Sequence, residues 1–374
     1  MSGVMNRFQA RITAVLLLVV VVVGASCAPA PAPLTRDEQV AQIVAFVENS
    51  RGHEFLVEPT VTFVPDAVFQ QHVLDSIVSA EPGLATDEVA FKALEWMKPT
   101  DSLYQKYRIA FGGAVVGFYD PVSKVLEVRG SELTPYRKEV VAHELTHALD
   151  DQLFGLNESF GEGVLNESQL SFLVAVEGDA VQTQRSFVAS LPPLEQLQST
   201  LEQLSFPIDP ELLTVPIALL SLSQAPYLQG PQFVGGLGGN AGIDSMFDRY
   251  PTTAEQAWDP AKYLSNEPAV AVATPPADGT VVNAGTWGRF LMTLVLAEGI
   301  SLDATVSPLT NGWAGDAYVT WRDGASSCIR IDTQSDSVSE AASLSGGLLE
   351  WASRHDGATI TSVNPTTTRL TSCH

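Results

Sequence analysis

The sequence predicts an α+β fold that is mainly α-helical, with a small sheet in its first half and a small α+β module at its C-terminal end. Three observations predict it. Long apolar-periodic segments carry start and stop signals: Thr134 before Pro135 opens one, with no further Pro or Gly until Gly155, and Pro192-Pro193 closes another over residues 168–190. Runs rich in β-formers come in pairs around turn signals, at 113–120 with 124–129 and at 317–321 with 327–331. Finally, 374 residues at 45% hydrophobic can bury a core in one large or two modest domains.

The first 27 residues read as an address. Arg7 and Arg11 precede the apolar run Ala14 to Val23, followed by Gly24-Ala25-Ser26-Cys27. A positive start, a short apolar core and a small-residue exit describe a signal peptide, and the run is short for a membrane span. The setting of Cys27 resembles a bacterial lipobox, although Gly24 stands where Leu is usual. That resemblance implies lipidation of Cys27 and a chain held at the outer face of the bacterial cell membrane. Cleavage after Ala28 with secretion, or an uncleaved anchor, are the alternatives. Residues 28–34, alternating Ala and Pro to position 33, make a short stiff tether. Beyond Cys27 the chain carries 18 basic against 43 acidic residues, a net charge of −25. Such a surface repels nucleic acid and offers it no basic stripe.

From residue 35 to 308 the sequence predicts one catalytic domain. Thr35 with Glu38 forms a capping-box pattern ahead of a stripe at Val40, Ile43, Val44 and Val47. A strand at 61–64 and helices near 67–79 and 87–97 follow. His53 and His72 in this region have no second ligand at metal spacing and read as core or surface histidines. The paired runs around Asp120-Pro121-Val122-Ser123 predict a hairpin, a candidate edge for pairing with an extended peptide.

Next comes the helix with Val140-Val141-Ala142-His143-Glu144-Leu145-Thr146-His147. His143 and His147, four apart, lie one turn apart on one face and can hold one metal ion. Glu144 sits about 100° round the helix, placed to take a proton from water rather than to ligate. A Zn²⁺ bound by two imidazoles and a carboxylate lowers the pKa of its water to about 7. The third ligand points to Glu177. It stands inside the apolar segment Leu170 to Val181, where an unpaired carboxylate is costly, and no histidine lies near enough to compete.

The run from Val140 to Leu156 resembles the zinc helix of the thermolysin-like gluzincins. The resemblance implies a zincin-like core in which His143, His147 and Glu177 ligate zinc and Glu144 is the general base. It also implies that Asp151, four residues past His147, orients that ring; Asp179 is a further candidate for such support. The whole chain resembles a family of exported bacterial proteins described as candidate metallopeptidases, which share the His-Glu-Leu-Thr-His helix, Glu177-Gly178-Asp179-Ala180 and a Gly-Trp-x-Gly-Asp motif. No counterpart of thermolysin's transition-state histidine is evident. Tyr227 is a candidate for that task, because a phenol beyond the third ligand can stabilise an oxyanion.

Helices are expected at 194–205 and 211–222, then a Gly-rich passage at 226–239 that permits close approach but lacks a phosphate-loop context. Another helix is expected at 287–297. Beyond Pro308, residues 309–374 read as the α+β module: strands about Asp323-Gly324, a helix at 335–354 and two short closing strands. With Cys27 lipidated, Cys328 and Cys373 remain as an even pair, which predicts a disulfide in an exported chain. The expected function is zinc-dependent hydrolysis of a peptide or protein substrate. A catalytically silent zinc-binding envelope protein and a zinc hydrolase of non-peptide amides are the alternatives.

Overall fold

The protein, seen in a computed structural model, is described over residues 33–113, 115–156, 163–206 and 209–374. The expected signal peptide, Cys27 and residues 28–32 of the tether lie outside the described residues. The chain divides into two compact units, Met1–Gln39 and Val40–His374. In the first, Thr35 and Glu38 form the expected capping box. The Thr35 amide donates to Glu38 Oε2 at 2.8 Å and the Glu38 amide donates back to Thr35 Oγ1 at 3.3 Å.

The fold is mainly α-helical α+β. Helix α1 (Arg36–Arg51) leads to strand β1 (Val61–Val64), then helices α2 (Asp66–Ser76), α3 (Glu81–Ala93) and α4 (Leu103–Gly112). Strands β2 (Gly117–Asp120) and β3 (Val125–Arg129) form the expected hairpin, paired Phe118 with Glu127 and Asp120 with Val125. Asp120 organises its turn by accepting from the Val122 amide at 2.9 Å. Strand β1 joins β3 in parallel, so the sheet order is β1-β3-β2 and β2 is left as an edge.

Two long helices follow, α5 (Pro135–Phe154) and α6 (Glu167–Ser190). Thr134 caps α5 by accepting from the Arg137 amide at 3.3 Å, and Asn166 caps α6 by accepting from Gln169 at 3.1 Å. Helix α7 spans Pro193–Ser205. The expected helix at 211–222 instead divides, into a 3₁₀ turn at Pro210–Thr214 and helix α8 at Ile217–Gly235. Pro216 lies between them, where it would disrupt a continuous helix. Helix α8 runs straight through Pro226 and Pro231, residues that read as breakers in the sequence. What holds it is tertiary: it crosses α6 with Gly230 against Gly178. A Cβ on either glycine would meet the other's backbone at 2.5 Å.

Short helices α9 (Asn240–Asp248), α10 (Ala254–Trp258) and α11 (Pro260–Leu264) connect to strand β4 (Thr280–Gly285) and helix α12 (Arg289–Leu296). Strands β5 (Trp313–Asp323), β6 (Ser326–Ser335), β7 (Thr359–Asn364) and β8 (Thr367–Cys373), with helix α13 (Val338–Ala352) before β7, complete the chain. The second sheet has the order β4-β5-β6-β8-β7, so it recruits a strand that precedes residue 309. Its inner face also enters one continuous core with the helices: Tyr318, Ile331 and Leu348 pack in the same cluster as Leu84, Phe91 and Phe290. Cys328 and Cys373 stand directly opposite on β6 and β8 and are bonded. Among the described residues, no helix is long and apolar enough to cross a membrane.

Candidate metal centre

Helices α5 and α6 bring His143, His147 and Glu177 together, with all three ligand atoms within 4.8 Å of one another. The His143 and His147 Nε2 atoms are 3.1 Å apart, and Glu177 Oε2 lies 3.1 Å from the first and 3.6 Å from the second. Donors on a tetrahedral ion at bond lengths of 2.0–2.1 Å stand about 3.3 Å apart. The triangle brackets that value. Glu177 Oε2 is buried and accepts no hydrogen bond, and His147 Nδ1 is buried without a partner. Two imidazoles and one carboxylate converging on a point suit a divalent ion of the zinc type. Burial raises the pKa of Glu177, but the adjacent His147 and His143 rings outweigh it and hold the carboxyl well below its ordinary range.

Glu144 is buried beside this triangle. Burial, opposed by His143 and reinforced by the Glu177 charge, pushes its pKa up to about 7. The main chain of Tyr119 on β2 supplies a hydrogen bond that favours its ionised form. That contact needs the edge strand close to the helix, and Gly117 permits it: a Cβ there would stand 2.5 Å from Val140 Cγ1 and 3.2 Å from Glu144 Cγ. A carboxyl poised near neutrality next to a metal-ligand set is suited to proton transfer.

Tyr227 reaches the centre from helix α8 rather than from a glycine loop. Its hydroxyl donates to Glu177 Oε1 at 3.2 Å, and its ring stacks on His143 with centroids 6.1 Å apart. The other His143 nitrogen, Nδ1, lies 3.1 Å from Gln184 Oε1, which orients the ring; nothing in the sequence singled out this glutamine.

The expected role of Asp151 is not what the structure displays. Its carboxylate accepts from Tyr119 Oη at 2.5 Å, from Lys124 Nζ at 2.6 Å and from the Leu156 amide at 3.0 Å. These partners consume it: Asp151 fastens the β2–β3 hairpin to α5 and makes no hydrogen bond to His147. Asp179 faces His147 electrostatically, and is occupied by Arg51, whose Nε lies 2.8 Å from its Oδ2.

Arg51 is a hub that sequence reasoning missed. Only 1% exposed, it also reaches Asp150 at 3.3 Å and Asp244 at 3.2 Å, and Asp244 in turn meets His53 at 2.9 Å. Asp150 belongs to α5 and Asp179 to α6, so one guanidinium clamps the two ligand-bearing helices. Burial drives the Asp150 pKa up, and the adjacent Asp179 adds to it.

A cleft of about 1220 Å³ opens over the centre, walled by the β2–β3 hairpin on one side and by Tyr107, Phe111, Leu219 and Leu222 on another. The Gly312-Trp313-Ala314-Gly315-Asp316 motif lies elsewhere and is structural. Buried Asp316 accepts from the Trp287 and Gly288 amides at 2.8 and 2.9 Å and from Trp313 Nε1 at 2.7 Å, which fixes the start of α12.

Residues 239–372 match a domain of unknown function, DUF8575. The match takes in the second sheet and α13 but not His143, His147, Glu144 or Glu177. Neither a curated protein nor a solved structure matches the chain.

Proposed function

We propose that the protein is a zinc-dependent metallopeptidase of gluzincin type, with a zincin-like core formed by the β1-β3-β2 sheet and helices α5 and α6. The observation that carries this reading is the position of Glu144: a buried carboxyl, pKa about 7, beside an open three-ligand triangle and beneath an edge strand. A purely structural zinc site closes four positions with protein ligands, whereas this one offers three among the described residues. Zinc, when bound by His143, His147 and Glu177, supplies Lewis acidity and lowers the pKa of water to about 7. The residues of the chain do the rest. An extended peptide adds antiparallel or parallel to the free edge of β2, which brings its carbonyl over the triangle. Glu144 takes the proton of the attacking water and returns it to the departing amine. Tyr227 donates its hydroxyl toward the oxygen that gains charge, exchanging Glu177 for that partner. Attachment through a lipid on Cys27 would place this activity outside the cell membrane.

The test is Glu144→Gln, which preserves size and leaves the ligand set untouched. Zinc content and melting temperature stay at the wild-type values, while cleavage of denatured protein or of a peptide library falls by at least ~10²-fold. Wild-type cleavage must stop with a zinc chelator. Equal cleavage by wild type and Glu144→Gln would refute the assignment.

A further inference from the structure

Helix α7 is docked with its polar side inward. Glu195 accepts from Lys138 Nζ at 2.8 Å, Ser199 donates to Glu139 at 2.7 Å, and Glu202 accepts from Thr134 Oγ1 at 2.8 Å. All three partners lie on the first turns of α5 or at its cap. The leucines point the other way: Leu194, Leu197, Leu201 and Leu204 are 65%, 54%, 56% and 78% exposed. A surface helix ordinarily buries its apolar stripe and solvates its polar one. Here the arrangement is reversed, on a helix whose polar anchors are fully engaged.

The stripe has a definite form. Its spacing of three, four and three residues is that of the a and d positions of two heptads, the narrow seam of helix-to-helix pairing. The flanking outward residues Gln198, Thr200 and Ser205 are uncharged, and both acids of the helix are turned to the protein. We propose that this face is a self-association seam, on which α7 of a second copy of this chain packs leucine against leucine. The seam is self-complementary, as a twofold contact requires. In a chain of net charge −23, two copies repel one another over most of their surfaces. An outward face with no charge is where they can meet. A helix that lies on a bilayer carries a broad apolar face edged with Lys and Arg; α7 has neither basic residue. Two heptads cover less than the ~800 Å² per partner of a standard interface, so the pairing is weak in dilute solution and concentration-dependent. The proposal does not rest on the metal centre or on lipidation.

The test uses the full-length chain carrying L197C, in the membranes or soluble fraction where it is found, oxidised and run on a non-reducing gel. A cross-linked dimer is expected, well above the level given by the chain without L197C. Adding L194Q, L201Q and L204Q should lower the yield at least tenfold, with the Cys328–Cys373 disulfide and protease resistance unchanged. If that chain misfolds, L201E alone in the L197C chain serves the same purpose. No dimer from L197C, or a dimer yield indifferent to the leucine replacements, overturns the proposal. So does an environment-sensitive thiol dye at L197C that reports an apolar setting without cross-linking, which would assign the seam to a bilayer or another protein. A dye that reports water at every concentration would leave the seam bare and overturn it as well.

Discussion

Replacing Arg51 by Met removes the positive charge that Asp150 of α5 and Asp179 of α6 share. Met keeps the unbranched stem, so the apolar packing of the side chain is largely retained. Left behind are Asp150 and Asp179, both buried, within reach of Asp244 and without their counter-charge. Breaking a buried ion pair in this way costs about 3–5 kcal/mol. For the 335 residues of Val40–His374, an unfolding entropy of about 2.1 cal/mol/K per residue makes the slope about 0.7 kcal/mol per degree. The melting temperature should therefore fall by ~4–7 °C. The informative variant is Arg51→Met with Asp150→Asn and Asp179→Asn. It removes the stranded charges along with the cation, and should recover most of the loss. Differential scanning calorimetry of the three proteins at neutral pH makes the comparison. If Arg51→Met melts within a degree of wild type, or the triple variant melts as low as the single one, the clamp is not held by charge and the reasoning fails.

Other consequences can be checked in parallel. His143→Ala, His147→Ala and Glu177→Ala should each lose most of the bound zinc measured by metal analysis; full retention in Glu177→Ala would remove it from the ligand set. Tyr227→Phe should keep its zinc and lose ~10²–10³ in kcat with little change in KM, the signature of a lost oxyanion donor. Asp87 is buried and accepts from the Val164 and Leu165 amides; burial raises its pKa from 3.8 to about 7. The folded state thus binds more protons than the unfolded one between pH 4 and 7, and stability falls as pH rises through that window. Asp87→Asn should flatten this slope and stabilise the protein at pH 8, by at most about 4 kcal/mol, but not at pH 5. Reducing Cys328–Cys373, which closes a loop with a sequence separation of 45, should cost about 4 kcal/mol in a urea titration.

What could be read from the sequence was local. The Thr134-Pro135 start and the two histidines at helical spacing define α5 and its metal-facing side without any tertiary knowledge. Glu177 was legible because its neighbours are apolar. The β5–β6 hairpin was legible because Asp323-Gly324 permits a tight turn. Tertiary competition hid the rest. Asp151 has the right spacing to support His147, yet Tyr119 and Lys124 arrive from the hairpin and engage it first. Tyr227 reads as part of a Gly-rich passage, yet α8 continues through it and through Pro226 and Pro231, which ordinarily break helices. Arg51 meets Asp150 and Asp244 across 99 and 193 residues, separations at which no spacing rule applies. Strand β4 is a short run between prolines and glycines, and becomes a strand only because β5 offers it an edge.

The Gly178–Gly230 crossing acts as a gauge for the metal centre. Glu177 immediately precedes one glycine and Tyr227 stands three residues before the other, so the spacing of the main chains that carry ligand and phenol is set by backbone meeting backbone. Side-chain repacking elsewhere in the core cannot alter it, since no rotamer intervenes at the stop. A single methyl at either glycine could not be absorbed by rotation, because what it meets is backbone at 2.5 Å. The helices would have to part by about 1 Å to restore an ordinary contact of 3.5 Å or more. One carbon atom, at a crossing that does not itself line the cleft, is therefore a dial for the spacing of the two helices, and the natural sequence has it turned to its narrowest setting.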